Sequence, residues 1–264
     1  GNSDVYFTTL SSAGIVSAEP RSGLAVDMTP QTAPRIFGNA SGGIVFYNRY
    51  ESYINNLCFA PVTQQETVEV SKISAAKLMP SGTSVSLRGK VVTAVLADGF
   101  YAEEVDRSSS VRVLANVAVH VGDVVDIIGI IGTLDGERLI TTGSVVAMGV
   151  AAEPTQPFVM SGDMIGGAGI NGVVPGVTGG YGANNLGLLI KTWGTVSSLG
   201  SGFFYINCNS ATSVKVKSGT LTQPRVGDQI TVVGISTCEI SAGALCRAIL
   251  PRTQADIKVV KAAP

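Results

Sequence analysis

Apolar and polar residues alternate in short runs over much of this chain. The stretch 98–114, "DGFYAEEVDRSSSVRVL", places two such runs around a charged turn, and the stretch 201–217, "SGFFYINCNSATSVKVK", repeats this arrangement. Alternation with a period of two is typical of strands that bury one face. The two stretches therefore predict two antiparallel hairpins of similar design.

The similarity between the two halves extends beyond these hairpins. Matching residues are separated by 103 to 105 positions, and the pairs are Gly89 and Gly194, Phe100-Tyr101 and Phe204-Tyr205, Val111-Arg112-Val113 and Val214-Lys215-Val216, Val121-Gly122-Asp123 and Val226-Gly227-Asp228, and Gly129 and Gly234. A period of this length indicates two copies of a small domain, because solenoid repeats are much shorter.

Each copy contains strand signals in the same order. The first copy reads "SVSLRGKVVTAVL", "GFYAEE", "SVRVL", "DVVDIIGIIG" and "RLITTGSVVAM", and the second reads "LGLLIKTWGTVSSL", "GFFYIN", "SVKVKS", "DQITVVGIS" and "ALCRAIL". Gly89 is expected to bend the long first strand. Five short strands with such a first strand predict a small closed barrel of the OB type. The predicted fold is mainly β, with two OB-type five-stranded barrels in tandem over 71–150 and 186–260.

The segment before the first copy, "SKISAAKLMPSGTSVSLRGKVVTAV", carries a family resemblance. It has a short helical signal followed by a glycine-containing strand pattern, formed by Ile73, Ala76, Lys77, Met79, Pro80, Gly82, Val85, Leu87, Gly89 and Val91. From about 71 to 258 the chain resembles tandem OB-fold modules of secreted and cell-surface bacterial proteins. Such modules accompany extracellular nucleases and other exported enzymes without being the catalysts. The resemblance implies a non-catalytic accessory or interaction module, with an extracellular or cell-surface location.

Two segments lie outside the predicted barrels. Residues 151–185 contain no Lys or Arg and are rich in Gly, which predicts a connector. This connector is too apolar for a free tether, so we expect it to pack against the barrels. Residues 1–70 contain the strand-like runs "DVYFTTL" and "GGIVFYNRY" with prolines between them. They predict an irregular β-rich segment, either extra strands on the first barrel or the remnant of an upstream domain.

The net charge of the chain limits the classes of partner that it is expected to bind. The chain has a formal net charge of −1 and a pI near 5.9, so no overall basic field attracts nucleic acid or an anionic membrane. No apolar run approaches the roughly 18 residues of a membrane span, so we expect no membrane insertion. The charge is uneven, however. Residues 83–150 carry five Lys/Arg against eight Asp/Glu (−3), whereas residues 186–264 carry eight against three (+5).

Catalytic motifs are absent from the sequence. The single histidine, His120, lies in "VAVHVGD", where a structural role is expected, and no nucleophile, zinc-protease or phosphate-loop motif occurs. We therefore expect no enzymatic activity and no cofactor.

Three acidic residues, Glu103, Glu104 and Asp106, form a cluster at the tip of the first hairpin. Such a cluster is either a solvated turn or a weak calcium site. The corresponding residues of the second copy are Asn207, Cys208 and Ser210, so the fold itself needs no ion there.

Two of the four cysteines, Cys238 and Cys246, flank a predicted hairpin turn in "EISAGAL". They predict either a disulfide, if the protein is exported, or buried free thiols.

Alternation also predicts a ligand-binding face on the second barrel. If Phe204 and Val214 point inwards, one outer face presents aromatic and basic side chains, namely Lys191, Trp193, Tyr205, Lys215 and Lys217. This combination is typical of surfaces that bind an anionic polymer, either single-stranded nucleic acid or an acidic polysaccharide. The alternative is an ordinary polar face with Trp193 packed on the connector.

The corresponding face of the first barrel presents Tyr101, Glu103 and Arg112. Because acidic residues surround it, this face is a poor surface for nucleic acid. The sequence leaves the partner undetermined, with an anionic polymer or other domains of a larger exported protein as the alternatives.

Overall fold

The computed structural model describes residues 66–208 and 213–264 in full, together with the backbone of the strands before residue 66. The chain divides into two compact units, Gly1–Glu66 and Thr67–Pro264. Strands dominate both units, so the prediction of a mainly β protein is confirmed. In the described part of the chain, no helix has the length and apolar character needed to cross a membrane.

The N-terminal unit contains five strands: β1 (Val5–Phe7), β2 (Ser22–Ala25), β3 (Gln31–Asn39), β4 (Gly42–Glu51) and β5 (Ile54–Thr63). β1 pairs with β2, and β3, β4 and β5 form an antiparallel sheet in that order. The two strand-like runs of the sequence coincide with β1 and β4. The side chains of this unit, including that of Cys58, lie outside the described residues, and the role of this segment stays a prediction.

The first sheet of the second unit contains β6 (Thr67–Glu69), β7 (Ser84–Leu96), β8 (Gly99–Glu103), β9 (Ser110–Leu114), β10 (Asp123–Leu134) and β11 (Glu137–Val150). A short helix, α1 (Ile73–Leu78), lies between β6 and β7, where the helical signal was predicted. β7 pairs with both β8 and β10, β8 pairs with β9, and β10 pairs with β11. A parallel pairing of β9 with β11 completes a cycle of five strands.

The second sheet contains β12 (Phe158–Val159), β13 (Leu189–Gly200), β14 (Phe203–Asn207), β15 (Ser213–Val216), β16 (Gln229–Ser241), β17 (Ala244–Leu250) and β18 (Ile257–Lys261). Strands β13 to β17 pair in the same cycle as β7 to β11, and the pairing of β15 with β17 is again the parallel one. β12 extends the sheet beside β13, and β18 extends it beside β16. The repeat in the sequence is therefore a repeat of strand topology.

Both copies share an irregularity in their long first strand. The register against the next strand shifts at Thr93 in β7 and at Ser197 in β13. The Thr93 hydroxyl donates to the carbonyl of Tyr101 at 3.5 Å, and the Ser197 hydroxyl donates to that of Tyr205 at 3.3 Å. Such bulges increase the local twist of a strand, which helps β7 and β13 to pair with two neighbours.

Each sheet has its own apolar core, and a third cluster lies between the sheets. Phe100 belongs to the first core and Phe204 to the second. Tyr101 alternates with Phe100 and points out of the first sheet, where it packs with Leu189 and Ile235 of the second. The two sheets of this unit therefore contact each other through residues that point away from their cores.

The segment between the sheets contacts the second sheet over much of its length. Val177 is buried with Cys238 and Leu245 nearby. The backbone N–H of Thr178 donates to the carbonyl of Leu245 at 2.7 Å, and the N–H of Gly166 donates to the side-chain oxygen of Asn185 at 2.8 Å. These bonds satisfy backbone groups that an irregular segment would otherwise leave unpaired.

Candidate ligand-binding face

The predicted face of the second sheet exists as an outward-pointing surface. Trp193 on β13 is 42% exposed, and Lys191 precedes it by two positions on the same strand. Tyr205 on β14 stands opposite Lys215 on β15, whereas Phe204, which alternates with Tyr205, is buried in the core. Alternation along the strands thus places the predicted residues on the outside of the sheet.

Strands β14 and β15, however, offer neither an unpaired cation nor an unobstructed ring. Glu239 lies 2.7 Å from the Lys215 ammonium and 3.8 Å from that of Lys217. Lys215 also lies over the ring of Phe203, with 4.1 Å between its ammonium and the ring centroid. Tyr205 is half-buried and meets the same Phe203 ring edge to face at 5.7 Å. Glu239 therefore offsets part of the charge of Lys215 and Lys217, whereas Lys191 forms no ion pair within the described residues.

A groove lies on a different part of the same sheet, beside Trp193. Its volume is about 340 Å³, and its lining residues come from β13, β16 and β18, namely Trp193, Gly194, Thr195, Gln229, Ile230, Thr231 and Val260. Because one wall is the exposed indole of Trp193, the groove combines an aromatic surface with polar side chains. Ligand sites commonly combine these two features.

The strand register arranges the residues of this face in two rows. Trp193 on β13 pairs with Thr231 on β16, and Thr231 pairs in turn with Lys258 on β18. The neighbouring row, two residues further along β13, consists of Thr195, Gln229 and Lys261. The first row therefore runs from Trp193 to Lys258, and the second row runs from Thr195 to Lys261. We call these six residues the Trp193 face.

The polar side chains of the Trp193 face lack side-chain partners within the described residues. Across residues 66–208 and 213–264, neither Lys258 nor Lys261 forms an ion pair. Within the same residues, no side-chain hydrogen bond involves Thr195, Gln229 or Thr231. This state contrasts with that of Lys215, whose charge is matched at short range. Within the described residues, the Trp193 face therefore has unpaired hydrogen-bonding groups and two unpaired positive charges.

Sequence reasoning found Trp193 but missed the rest of this face. Lys258 and Lys261 lie on β18, which follows the five predicted strands of the second copy. The β-branched residues of "IKVVK" were the available signal for a further strand. Nothing local indicates that this strand pairs with β16, which begins 28 residues before β18.

The corresponding face of the first sheet is covered by the second sheet. Tyr101 and Glu103, predicted to point outwards from β8, are 2% and 0% exposed. Glu103 accepts a hydrogen bond from the backbone N–H of Leu189, and the Tyr101 hydroxyl donates to Glu137 at 2.9 Å. Arg112 pairs with Asp98 at 2.6 Å. Tyr101 and Glu103 therefore take part in an internal contact, whereas Arg112 is partly exposed and lines a cavity of about 250 Å³.

Burial between the sheets shifts the pKa of several groups. Burial raises the pKa of Glu103 to about 7, although the N–H of Leu189 opposes this by stabilising the carboxylate. Burial likewise raises the pKa of Glu137. Burial lowers the pKa of Lys77 to about 8, and its ammonium donates to the carbonyls of Ser110 and Leu186, each at 3.2 Å.

The structure does not support a calcium site at the first hairpin tip. Glu104 is buried, where it accepts from the N–H of Ile73 at 2.6 Å and from Lys90 at 2.8 Å. Glu103 points to the second sheet instead, and Asp106 pairs with an exposed lysine, Lys72, at 2.6 Å. Within the described residues, no group of three or more His, Cys, Asp or Glu side chains is arranged to hold a metal. The solvated turn predicted for these residues holds for Asp106, which is exposed, but not for Glu103 and Glu104, and the three carboxylates serve separate contacts.

The disulfide alternative for Cys238 and Cys246 is also not supported. Both cysteines are free, and so is Cys208. Cys238 pairs with Arg247 across the β16–β17 hairpin, and Cys246 pairs with Glu239. Since adjacent residues of a strand point to opposite faces, the two thiols lie on opposite sides of the hairpin. Cys238 is buried and Cys246 is exposed.

Comparisons with known proteins provide no relative. The chain matches no protein-family model, and it has no significant match among curated proteins or solved structures.

Proposed function

We propose that this chain is a non-catalytic binding module built from two OB-type barrels. The support is the strand topology, in which each copy pairs first with second, second with third, third with fifth in parallel, fifth with fourth, and fourth with first. A five-stranded, partly open barrel of this kind is a common carrier of oligonucleotide and oligosaccharide sites. The resemblance of its lead-in segment to modules of exported bacterial proteins favours an extracellular or cell-surface setting.

The ligand that we propose is an extended anionic polymer bound on the Trp193 face. One observation carries this proposal: an exposed indole borders a groove of about 340 Å³, and the third strand of the same surface carries two lysines that form no ion pair within the described residues. An aromatic platform supplies stacking area, and unpaired cations attract a polyanion. The face on β14 and β15 is a weaker candidate because Glu239 neutralises its lysines.

The fluorescence of Trp193 tests this proposal directly, since it is the single tryptophan of the chain. Single-stranded DNA and an acidic polysaccharide are titrated separately at low and at physiological ionic strength. We expect a saturable change with at least one polymer, and we expect it to weaken with salt because salt screens exposed charges. If neither polymer changes the fluorescence or binds in a gel-shift assay, the proposal is wrong.

A further inference from the structure

We infer that the polymer bound by the Trp193 face is an acidic polysaccharide and not a single-stranded nucleic acid. This inference rests on the proposed function and concerns the same site. It follows from the number of exposed rings, from the neutral polar groups between Trp193 and the lysines, and from the number of unpaired cations.

The groove offers one aromatic platform. Trp193 is the only aromatic residue among those that line it. Tyr205, the nearest ring in the predicted set, packs against Phe203 and is half-buried. Sequence-tolerant binding of single strands normally uses several rings on which successive bases stack. A single ring next to a small groove fits one sugar residue, whose C–H groups meet the negative face of the indole.

Neutral hydrogen-bonding groups separate this ring from the lysines. The Thr195 and Thr231 hydroxyls and the Gln229 amide lie in the two rows of the face, and none has a side-chain partner in residues 66–208 and 213–264. Hydroxyl and amide groups both donate and accept hydrogen bonds. Sugar hydroxyls need both functions at once, whereas a phosphodiester backbone only accepts. These groups therefore match a sugar better than a phosphate chain.

The two lysines at the ends of the rows are the reason why we infer an acidic ligand. Lys258 and Lys261 lie on β18, and each has an unpaired ammonium within the described part of the chain. Lys191, two positions before Trp193, also forms no ion pair within the described residues, so the surface carries three unpaired lysines. Three cations are few for a polyphosphate, although residues 186–264 have a formal charge of +5. They are sufficient to bind carboxylates carried by successive or alternate sugars of one chain.

The test compares three polymers: polygalacturonate, its methyl-esterified form as a neutral matched polymer, and oligo(dT). Binding to the wild-type protein is measured by titration calorimetry. The variants are Trp193→Ala, Lys258→Ala/Lys261→Ala and, as a matched control, Lys215→Ala/Lys217→Ala. The control removes the same charge from the same sheet, but from lysines already paired with Glu239. Circular dichroism melting confirms that each variant folds.

We expect polygalacturonate to bind and the methyl ester and oligo(dT) to bind much more weakly. Lys258→Ala/Lys261→Ala should weaken binding about tenfold, and Trp193→Ala by about tenfold or more, because each change removes roughly 1.4 kcal/mol or more of contact energy. Lys215→Ala/Lys217→Ala should change binding by less than about threefold.

The other outcomes separate the inference from the proposed function. Preferential binding of oligo(dT) that needs Trp193 overturns the inference and leaves the proposed function intact. Equal binding of the methyl ester overturns the acidic character of the ligand. Equal losses in both double-lysine variants overturn the assignment to the Trp193 face. Failure of all three polymers to bind overturns the proposed ligand as well.

Discussion

The Glu103 carboxylate accepts a hydrogen bond from the backbone N–H of Leu189, and this bond joins the two sheets of the second unit. Leu189 is the first residue of β13, the strand that carries Trp193. Other polar contacts cross the same boundary. Ser110 donates to the carbonyl of Gly187 at 2.8 Å. The outer face of β8 is thus a structural contact, whereas the matching Tyr205 of β14 stays partly exposed.

This contact predicts a dependence of stability on pH. The pKa of Glu103 is about 7 in the folded protein, against 4.5 for an unperturbed glutamate. The folded state therefore holds a proton between these values that the unfolded state has released. Because the unfolded state binds fewer protons, the free energy of unfolding should fall as pH rises from about 4.5 to about 7, by at most about 3 kcal/mol from this group. Urea denaturation across this range measures the fall.

The control for this prediction is Glu103→Gln. Glutamine keeps a side-chain oxygen to accept from the N–H of Leu189 but carries no charge at any pH. The variant should show a smaller slope between pH 4.5 and 7, with the remainder due in part to Glu137, whose pKa burial also raises. An unchanged slope in the variant would show that Glu103 is not the titrating group.

The buried ion pair between Lys90 and Glu104 predicts a large effect of breaking it. The two side chains are 4% and 6% exposed and lie 2.8 Å apart, and Glu104 also accepts from the N–H of Ile73. Glu104→Ala leaves the Lys90 charge buried without its partner and should lower the free energy of unfolding by about 3–5 kcal/mol. Chemical denaturation measures this loss.

The double variant Lys90→Met/Glu104→Met is the comparison for that experiment. It removes both charges, so no unpaired charge stays buried. Its free energy of unfolding should therefore fall by less than that of Glu104→Ala. A double variant that is less stable than the single one would contradict this explanation.

Gly129 and Gly234 occupy matching positions in the two copies, and substituting either by alanine should lower the stability by a similar amount. A Cβ at Gly129 would lie 2.5 Å from the carbonyl oxygen of Thr141, and one at Gly234 would lie 2.5 Å from that of Leu250. Substitution of either by alanine forces neighbouring backbone apart and should cost about 1–3 kcal/mol or more. At Gly143 the nearest atom would be 3.7 Å away, so Gly143→Ala should change stability by less than about 0.5 kcal/mol. Thermal unfolding of the three variants shows whether the loss of stability comes from a clash with neighbouring backbone or from replacing any glycine of the sheet.

The segment 151–185 should resist proteolysis despite its glycine content. Thr178 and Leu245 exchange backbone and side-chain hydrogen bonds, and Val177 is buried beside them. Cleavage needs local opening, which such contacts disfavour. Trypsin has no Lys or Arg to cleave there, so the experiment uses thermolysin and mass spectrometry of the early fragments. Rapid cleavage within 151–185 would contradict the packing of this segment.

Particular residues show where prediction from the sequence succeeded. The first strand of the first copy was predicted as "SVSLRGKVVTAVL", and β7 covers that stretch from Ser84 to Leu96. The last strand of the second copy, "ALCRAIL", coincides with β17. Alternation and turn residues are local signals, so they locate strands and their inward and outward positions. For the same reason the outward direction of Trp193 and Tyr205 was predictable.

The burial and the charge pairing of the outward side chains were not predictable from such local signals. Glu103 and Glu104 read as a solvated turn, yet one is buried against the second sheet and the other against Lys90. Lys215 reads as a free cation, yet Glu239, 24 positions further along, pairs with it. Burial and charge pairing depend on which segments meet in space, and no short pattern records that.

The sequence by itself determined the mainly β class, the repeat of about 105 residues, the strand positions and the outward direction of Trp193. Tertiary structure decided that Tyr101 and Glu103 of the first sheet are covered and that β18 lies beside β16. It also decided that Lys258 and Lys261 pair with Thr231 and Gln229, which line the groove. The physical reason is that strand formation follows from the alternation of neighbouring residues. Pairing and packing between distant strands follow from contacts that form only when the whole unit has folded.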